Sequence, residues 1–155
     1  MTPAIVLAQK NKISYKIHEY THDASSESYG LEAAEKLGVD ANRVFKTLVV
    51  DIGNKQLAVA VIPVATMLNF KSMAKSCGVK KVAMADKADV ERSTGYVLGG
   101  VSPLAQKRKL KTIVDFSAKH FPTIYVSAGR RGLEIELSPI ELTTVLGGLF
   151  AELAE

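Results

Sequence analysis

The stretch over residues 43–62 constrains this chain more than any other. Residues 43–52 and 56–62 are two runs dominated by Val, Leu, Ile, Ala and Phe, separated by the turn-forming pair Gly53-Asn54. That pattern predicts a hairpin of two largely apolar strands, with Pro63 ending the second. Alternate strand residues share a face, so Val44, Lys46, Leu48 and Val50 lie on one side of the first strand. Phe45, Thr47 and Val49 occupy the other. Neither side reads as solvated, and Lys46 is the residue that the pattern makes unusual.

Around this hairpin the chain alternates short helices with short strands. Thr2 as N-cap with Pro3 at the first helical position predicts a helix to about residue 10. Ile13, Tyr15 and Ile17 alternate with polar neighbours, which predicts a half-buried strand ending near Tyr20. Residues 21–28 read as a polar loop, and a helix is predicted over 29–37, closed by Gly38. Further helices are expected over 69–77, capped by Asn69, and from Asp86 onward, with a short strand at 81–84 between them. Residues 95–103 are too glycine-rich for a helix. Strands are expected at 112–115, 123–127 and 133–137, with a turn at 129–132. Ser138-Pro139 followed by Glu141 spells a capping box at the start of the last helix. The absence of strict βαβ alternation argues against a doubly wound sheet. The expected architecture is mixed α+β: a largely antiparallel mixed sheet surrounded by helices. No linker, repeat or low-complexity segment divides the 155 residues, so one domain over 1–155 is expected.

Apolar residues make up 47% of the chain and charged residues 23%, which suits a water-soluble globular protein. No apolar run approaches the ~20 residues of a membrane span, and the first residues lack a signal-peptide pattern. With Cys77 as the sole cysteine, an internal disulfide is excluded and a reducing cytoplasm is the expected setting. The net charge of +4 is compatible with a polyanionic partner, the densest basic run being Lys107 to Lys111.

Each candidate for chemistry has a plain structural reading beside it. Lys46 either carries its ammonium out to water along its aliphatic stem, or meets a phosphate or a reacting carbonyl in a cleft. Gly99-Gly100-Val101-Ser102-Pro103 is either a tight turn or a backbone surface that a ligand approaches closely. Ser127-Ala128-Gly129-Arg130-Arg131-Gly132 is either a hairpin turn or a phosphate-contacting pocket wall. Glu134 and Glu136 share one strand face; solvated carboxylates are the default and acid–base work the alternative. His18, His22 and His120 are scattered without the further ligands of a metal site, and no G-x-S-x-G nucleophile elbow is present. Cys77, next to Gly78, reads as a packed thiol at a helix end.

Three stretches together carry a family resemblance. They are Val44-Phe45-Lys46-Thr47-Leu48, the run from Arg92 to Leu104 containing Gly99-Gly100-Val101-Ser102-Pro103, and the run from Ile124 to Glu134 containing Ser127-Ala128-Gly129-Arg130-Arg131-Gly132. In order and spacing the chain resembles the YbaK family of bacterial aminoacyl-tRNA deacylases, which is related to the editing domain inserted in bacterial prolyl-tRNA synthetase. The resemblance extends over nearly the whole chain and points to the branch that clears Cys-tRNA(Pro). It implies the editing-domain fold, with a partly barrel-like sheet, no metal, no cofactor, and the acceptor end of a tRNA as partner. Lys46 and Gly100 are then the expected catalytic residues. Tyr20, Tyr29, Thr47, Ser102, Ser127, Gly129, Arg130 and Glu134 are the expected substrate-binding ones. Three departures bear on the pocket: Ala128 where the family often has glycine, Glu134 where it has aspartate, and Tyr29 where it often has phenylalanine.

The resemblance also implies that the thiol of the esterified cysteine attacks its own carbonyl, which fits the lack of a visible Ser-His or Cys-His pair. Packing alone distinguishes cysteine from proline poorly, so a separate hydrolytic site is chemically sensible. Two rivals remain at this level: a deacylase for another small aminoacyl group such as alanine or serine, and a non-catalytic RNA-binding or regulatory module. Prolyl-tRNA synthetase is the implied protein partner, though no stretch of the chain marks an interface for it.

Overall fold

Both faces of the predicted hairpin are apolar and must be covered, and the rest of the chain is arranged to do so. The computed structural model describes residues 1–26 and 29–155. Its helices are α1 (Pro3–Lys10), α2 (Tyr29–Leu37), α3 (Phe70–Cys77), α4 (Lys87–Thr94) and α5 (Pro139–Leu146). Its strands are β1 (Tyr15–Glu19), β2 (Phe45–Gly53), β3 (Gln56–Pro63), β4 (Ala83–Met84), β5 (Lys111–Asp115), β6 (Ile124–Arg130), β7 (Leu133–Leu137) and β8 (Leu149–Ala151). Short 3-10 helices span Ala41–Arg43 and Phe116–His120. The loop expected over 21–28 is described as far as Ser26; Glu27 and Ser28 lie outside the described residues.

The helix starts follow their caps. Thr2 Oγ1 accepts from the Ile5 N–H at 3.4 Å, Asn69 Oδ1 from the Ser72 N–H at 3.0 Å, and Ser138 Oγ from the Glu141 N–H at 3.2 Å. Each bond satisfies a backbone donor that the first helical turn leaves free. Asp86 opens α4 without such a side-chain bond.

β2 and β3 pair antiparallel from Phe45 opposite Pro63 to Gly53 opposite Gln56. The turn falls one residue later than predicted. A register irregularity between Asp51 and Gly53 moves the corner to Asn54 and Lys55, whose φ values are 54° and 61°. Positive φ at both central residues is the primed turn whose twist matches the strands.

The larger sheet runs β4-β2-β3-β5-β8, with β3–β5 and β5–β8 parallel and the other pairs antiparallel. The smaller sheet runs β1-β7-β6 and is wholly antiparallel. An isolated parallel bridge between Val44 and Tyr125 is the meeting point of the two sheets. The expected mixed, largely antiparallel architecture is present. Its barrel-like character stops at that bridge, because one residue pair cannot close two sheets into a cylinder.

Phe45, Val49, Val59 and Val61 join the main core with residues of α1, β6, β7 and α5. The opposite hairpin face, Val50, Ala58, Ala60 and Ile62, packs with Met73, Ala74 and Cys77 of α3. Cys77 is thus a packed thiol, and its burial raises its pKa. A third cluster, Ala33, Ala34, Val44, Val64 and Tyr125, seats α2 against the start of β2.

Candidate active site

β2 is paired along its whole length on one edge and only partly on the other. On the open edge, β4 pairs with Val50 and Asp51, the Ala85 N–H donates to the Val49 carbonyl, and the bridge to Tyr125 occurs at Val44. Between these contacts lies a gap. The parity of the strand decides what faces it. The Val44 carbonyl accepts from the Val64 N–H toward the hairpin partner, whereas Val49 points outward to Ala85. Alternation along an antiparallel strand therefore turns the N–H and C=O of Thr47 into the gap.

A cavity of about 390 Å³ opens there. Its wall includes Tyr20, Tyr29, Lys46, Thr47, Ser127 and Glu134, six of the residues expected at the site. Phe45, Leu48, Val64, Leu98 and Val101 add apolar lining. Lys46 is half-buried, and partial burial lowers the pKa of its ammonium. No carboxylate among the described residues pairs with it. The Thr47 hydroxyl is a buried oxygen without a hydrogen-bond partner. Lys46 borders space that a ligand can fill, whereas the Thr47 side chain lies on the opposite strand face with Phe45 and Val49, where its unpaired hydroxyl is a cost to the fold.

Glu134 corrects the expectation of a solvated carboxylate. It lies on β7 opposite His18 of β1 and Ser127 of β6, enclosed on both sides by paired strands. Its residue exposure is 7%, and burial pushes its pKa up to about 8. It is therefore mostly a neutral acid at pH 7, which leaves the Lys46 ammonium as the dominant charge on the wall. Tyr20, half-buried beside it, has its phenol pushed up to about 12, by burial first and then by the charge of Glu134. That phenol stays protonated. Ser127 Oγ accepts from the Gly129 N–H at 3.1 Å, and no histidine among the described residues contacts it.

Four expected residues stand apart from the wall. The Gly100 N–H donates to the Val97 carbonyl at 2.9 Å, and a Cβ there would sit 2.7 Å from Arg130 Cα. Gly100 thus locks the glycine loop onto the end of β6, while its neighbours Gly99 and Val101 reach the cavity. Ser102 is fully buried, its Oγ accepting from the Leu104 N–H at 3.2 Å. Gly129, at φ 113°, forms part of the irregularity between Ser127 and Arg130, where a Cβ would meet the Tyr96 ring at 2.8 Å. Arg130 is largely exposed and lies 3.9 Å from the Glu19 carboxylate.

The rim holds residues absent from the expected set. The Arg131 guanidinium stacks 3.7 Å from the centroid of the Tyr29 ring and also donates to the Tyr29 hydroxyl. Its Nη1 donates to His22 Nε2 at 3.2 Å, and His22 Nδ1 donates to the buried Glu32 at 2.6 Å. Gly99, at φ 91°, leaves room for this stack, since a Cβ there would collide with the Arg131 guanidinium. Arg131 adjoined an expected residue in sequence, but its stacking on Tyr29 spans 102 positions and has no local signal. Among the described residues no three His, Cys, Asp or Glu side chains assemble as a metal-binding group, and no helix is long and apolar enough to cross a membrane.

Comparison with known proteins speaks to the family and the fold. The family model described as "Aminoacyl-tRNA editing domain" matches residues 27–145. The chain is 40% identical over 154 residues to "Putative Cys-tRNA(Pro)/Cys-tRNA(Cys) deacylase EbsC" of Enterococcus faecalis, covering 98% of this chain and 92% of that one. It is 30% identical over 112 residues to "Uncharacterized protein YwhH" of Bacillus subtilis, covering 72% and 71%. Among solved structures, "Crystal structure of a putative trans-editing enzyme for prolyl tRNA synthetase" superposes with a TM-score of 0.83 at 22% identity, covering 100% of this chain and 99% of that one; at that identity the likeness speaks for the fold. The family match and the 40%-identical relative define a protein of the aminoacyl-tRNA deacylase class. The chain belongs to the aminoacyl-tRNA editing-domain family, of the YbaK type.

Proposed function

We propose that this chain clears Cys-tRNA(Pro) in trans, with Lys46 and Thr47 forming the reactive side of the cavity. The observation that carries this reading is the half-buried Lys46 ammonium, without a carboxylate partner among the described residues and set on the cavity wall where β2 lacks a neighbour. Such a cation suits the terminal phosphate or ribose of an acceptor end, or the negative charge that develops on an ester carbonyl under attack. The Thr47 N–H, turned into the gap at the strand edge, adds an uncharged donor. An aminoacyl ester is already activated, so positioning and oxyanion stabilisation supply much of what hydrolysis requires.

The wall favours a nucleophile brought by the substrate. Its hydroxyls belong to Tyr20, Tyr29 and Ser127, and no histidine among the described residues activates any of them. In the proposed route the cysteine sulfur bonds to its own ester carbonyl carbon and the carbon–oxygen bond to the ribose breaks. The thiol proton ends on the ribose oxygen. Water then opens the resulting thiolactone and yields free cysteine. The 40%-identical relative, named for Cys-tRNA(Pro) and Cys-tRNA(Cys), supports this choice of substrate over alanine or serine esters.

The test uses purified protein on Cys-, Ala- and Ser-tRNA(Pro), with and without prolyl-tRNA synthetase. Cys-tRNA(Pro) should be cleared while the esters lacking a thiol persist; equal rates on all three would eliminate the thiol route. Lys46→Ala should lose at least a hundredfold in deacylation, the scale of losing one oxyanion donor, with its thermal midpoint unchanged. Full activity in that variant would falsify the assignment of Lys46.

A further inference from the structure

A second cavity, of about 590 Å³, shares Lys46 and Leu48 with the first. Its other walls come from the start of α3 and from β4, and three of its side chains are apolar yet exposed: Met67 at 71%, Phe70 at 45% and Met84 at 48%. Exposed apolar groups gathered around one hollow mark a binding surface more often than isolated ones do. Lys71 lies beside them, exposed and without a carboxylate partner among the described residues. The carboxylate on this wall, Glu155, is held by the Asn69 amide at 2.9 Å.

An aromatic ring and flexible thioethers between two free ammonium groups have the composition of a single-stranded nucleic-acid site. Bases stack on the ring, methionines adapt to the base's outline, and cations follow the phosphates. We infer that this second cavity is a nucleobase subsite, holding the base of the nucleotide that precedes the esterified one in a single-stranded tRNA 3′ end. Phe70 provides the stacking face, Met67 and Met84 close around the base, and Lys71 meets the next phosphate outward. Lys46, common to both hollows, meets the phosphate that joins this nucleotide to the terminal one. The inference rests on the first cavity being the ester site. Continuity through Lys46, and two ammonium groups against the one carboxylate of Glu155, select RNA over a protein partner as the occupant.

The decisive variant is Phe70→Ala, which trims an exposed side chain. With an uncharged acceptor minihelix carrying 2-aminopurine at the second-last position, the wild-type protein should quench the fluorescence on binding. Phe70→Ala should lose the quench and weaken binding about tenfold, and Phe70→Tyr should restore both. On an aminoacylated minihelix Phe70→Ala should raise KM about tenfold with kcat unchanged. Aminoacyl-adenosine, which lacks the preceding nucleotide, should be cleaved as by the wild type. Unaltered minihelix binding, or equal losses on both substrates, overturns the subsite. So does an effect of Phe70→Ala that emerges only when prolyl-tRNA synthetase is added, which would make the hollow a protein-docking surface. Because the binding measurement needs no hydrolysis, it separates this inference from the deacylase reading: Phe70-dependent quenching without turnover of any ester would support the one and refute the other.

Discussion

Glu134 and Glu136 stand two residues apart on the same face of β7 and occupy opposite surroundings. Glu134 is enclosed at the cavity with no hydrogen-bond partner among the described residues, and burial pushes its pKa up to about 8. Burial also acts on Glu136, but hydrogen bonds from Thr123 at 2.5 Å and His18 at 2.8 Å outweigh it, and its pKa is lowered. The Arg43 guanidinium adds an ion pair to Glu136 at 3.6 Å while donating to the Thr123 carbonyl and stacking over Tyr125. One carboxyl is built into the scaffold. The other is left unsatisfied, which destabilises the fold but leaves a polar group available to a ligand.

The largest effect should separate the two acids by activity. Glu134→Leu, which removes the polar group that the cavity offers a ligand, should reduce deacylation of Cys-tRNA(Pro) about a hundredfold, the scale of losing one well-placed polar contact. Glu134→Gln, which mimics the neutral acid, should instead keep most of the activity at pH 7. That second variant should change the pH dependence of stability. Glu134 binds its proton more tightly when folded, so its contribution is full below the ordinary carboxylate range and is lost as pH rises toward about 8. Wild-type protein should therefore lose on the order of 2–4 kcal/mol between pH 5 and 8 in denaturant titrations, and Glu134→Gln should abolish that slope. A slope that persists in the variant would break the contrast.

Glu136→Ala should cost about 3 kcal/mol of stability at pH 7, because it leaves Arg43 and Thr123 facing an empty position. Its deacylation rate at a temperature where it is folded should remain near that of the wild type. The sign with pH is opposite to that of Glu134: a lowered pKa contributes stability above the ordinary carboxylate range and loses it as pH falls through the folded value. Smallest of the three, His18→Ala should cost about 1 kcal/mol by removing one partner from Glu136, measured as a shift in denaturation midpoint. A catalytic defect in His18→Ala larger than its stability defect would extend the functional region to that side of β7.

Much of the fold was legible because its signals are local. The caps at Thr2, Asn69 and Ser138 need only three or four residues, and the hairpin declares itself through two apolar runs around a turn. β8 escaped notice because three residues after α5 carry no period, and its partner β5 is supplied by the fold. Lys46 stood out because alternation placed it between apolar neighbours. The two glutamates looked identical in sequence; their difference depends on which strands flank β7, and no spacing rule contains that. Gly100, Ser102 and Gly129 entered through family resemblance, and the structure gives each a backbone or packing contact just behind the cavity wall.

A strand edge with free amides invites other strands to add to it, and this chain leaves such an edge on β2 between the contacts at Val44 and Val49. The segment is short, and a charged side chain projects from its middle. The ammonium that the proposed chemistry places against RNA therefore also discourages this surface from recruiting a second β-strand, so in that proposal one charge serves both purposes.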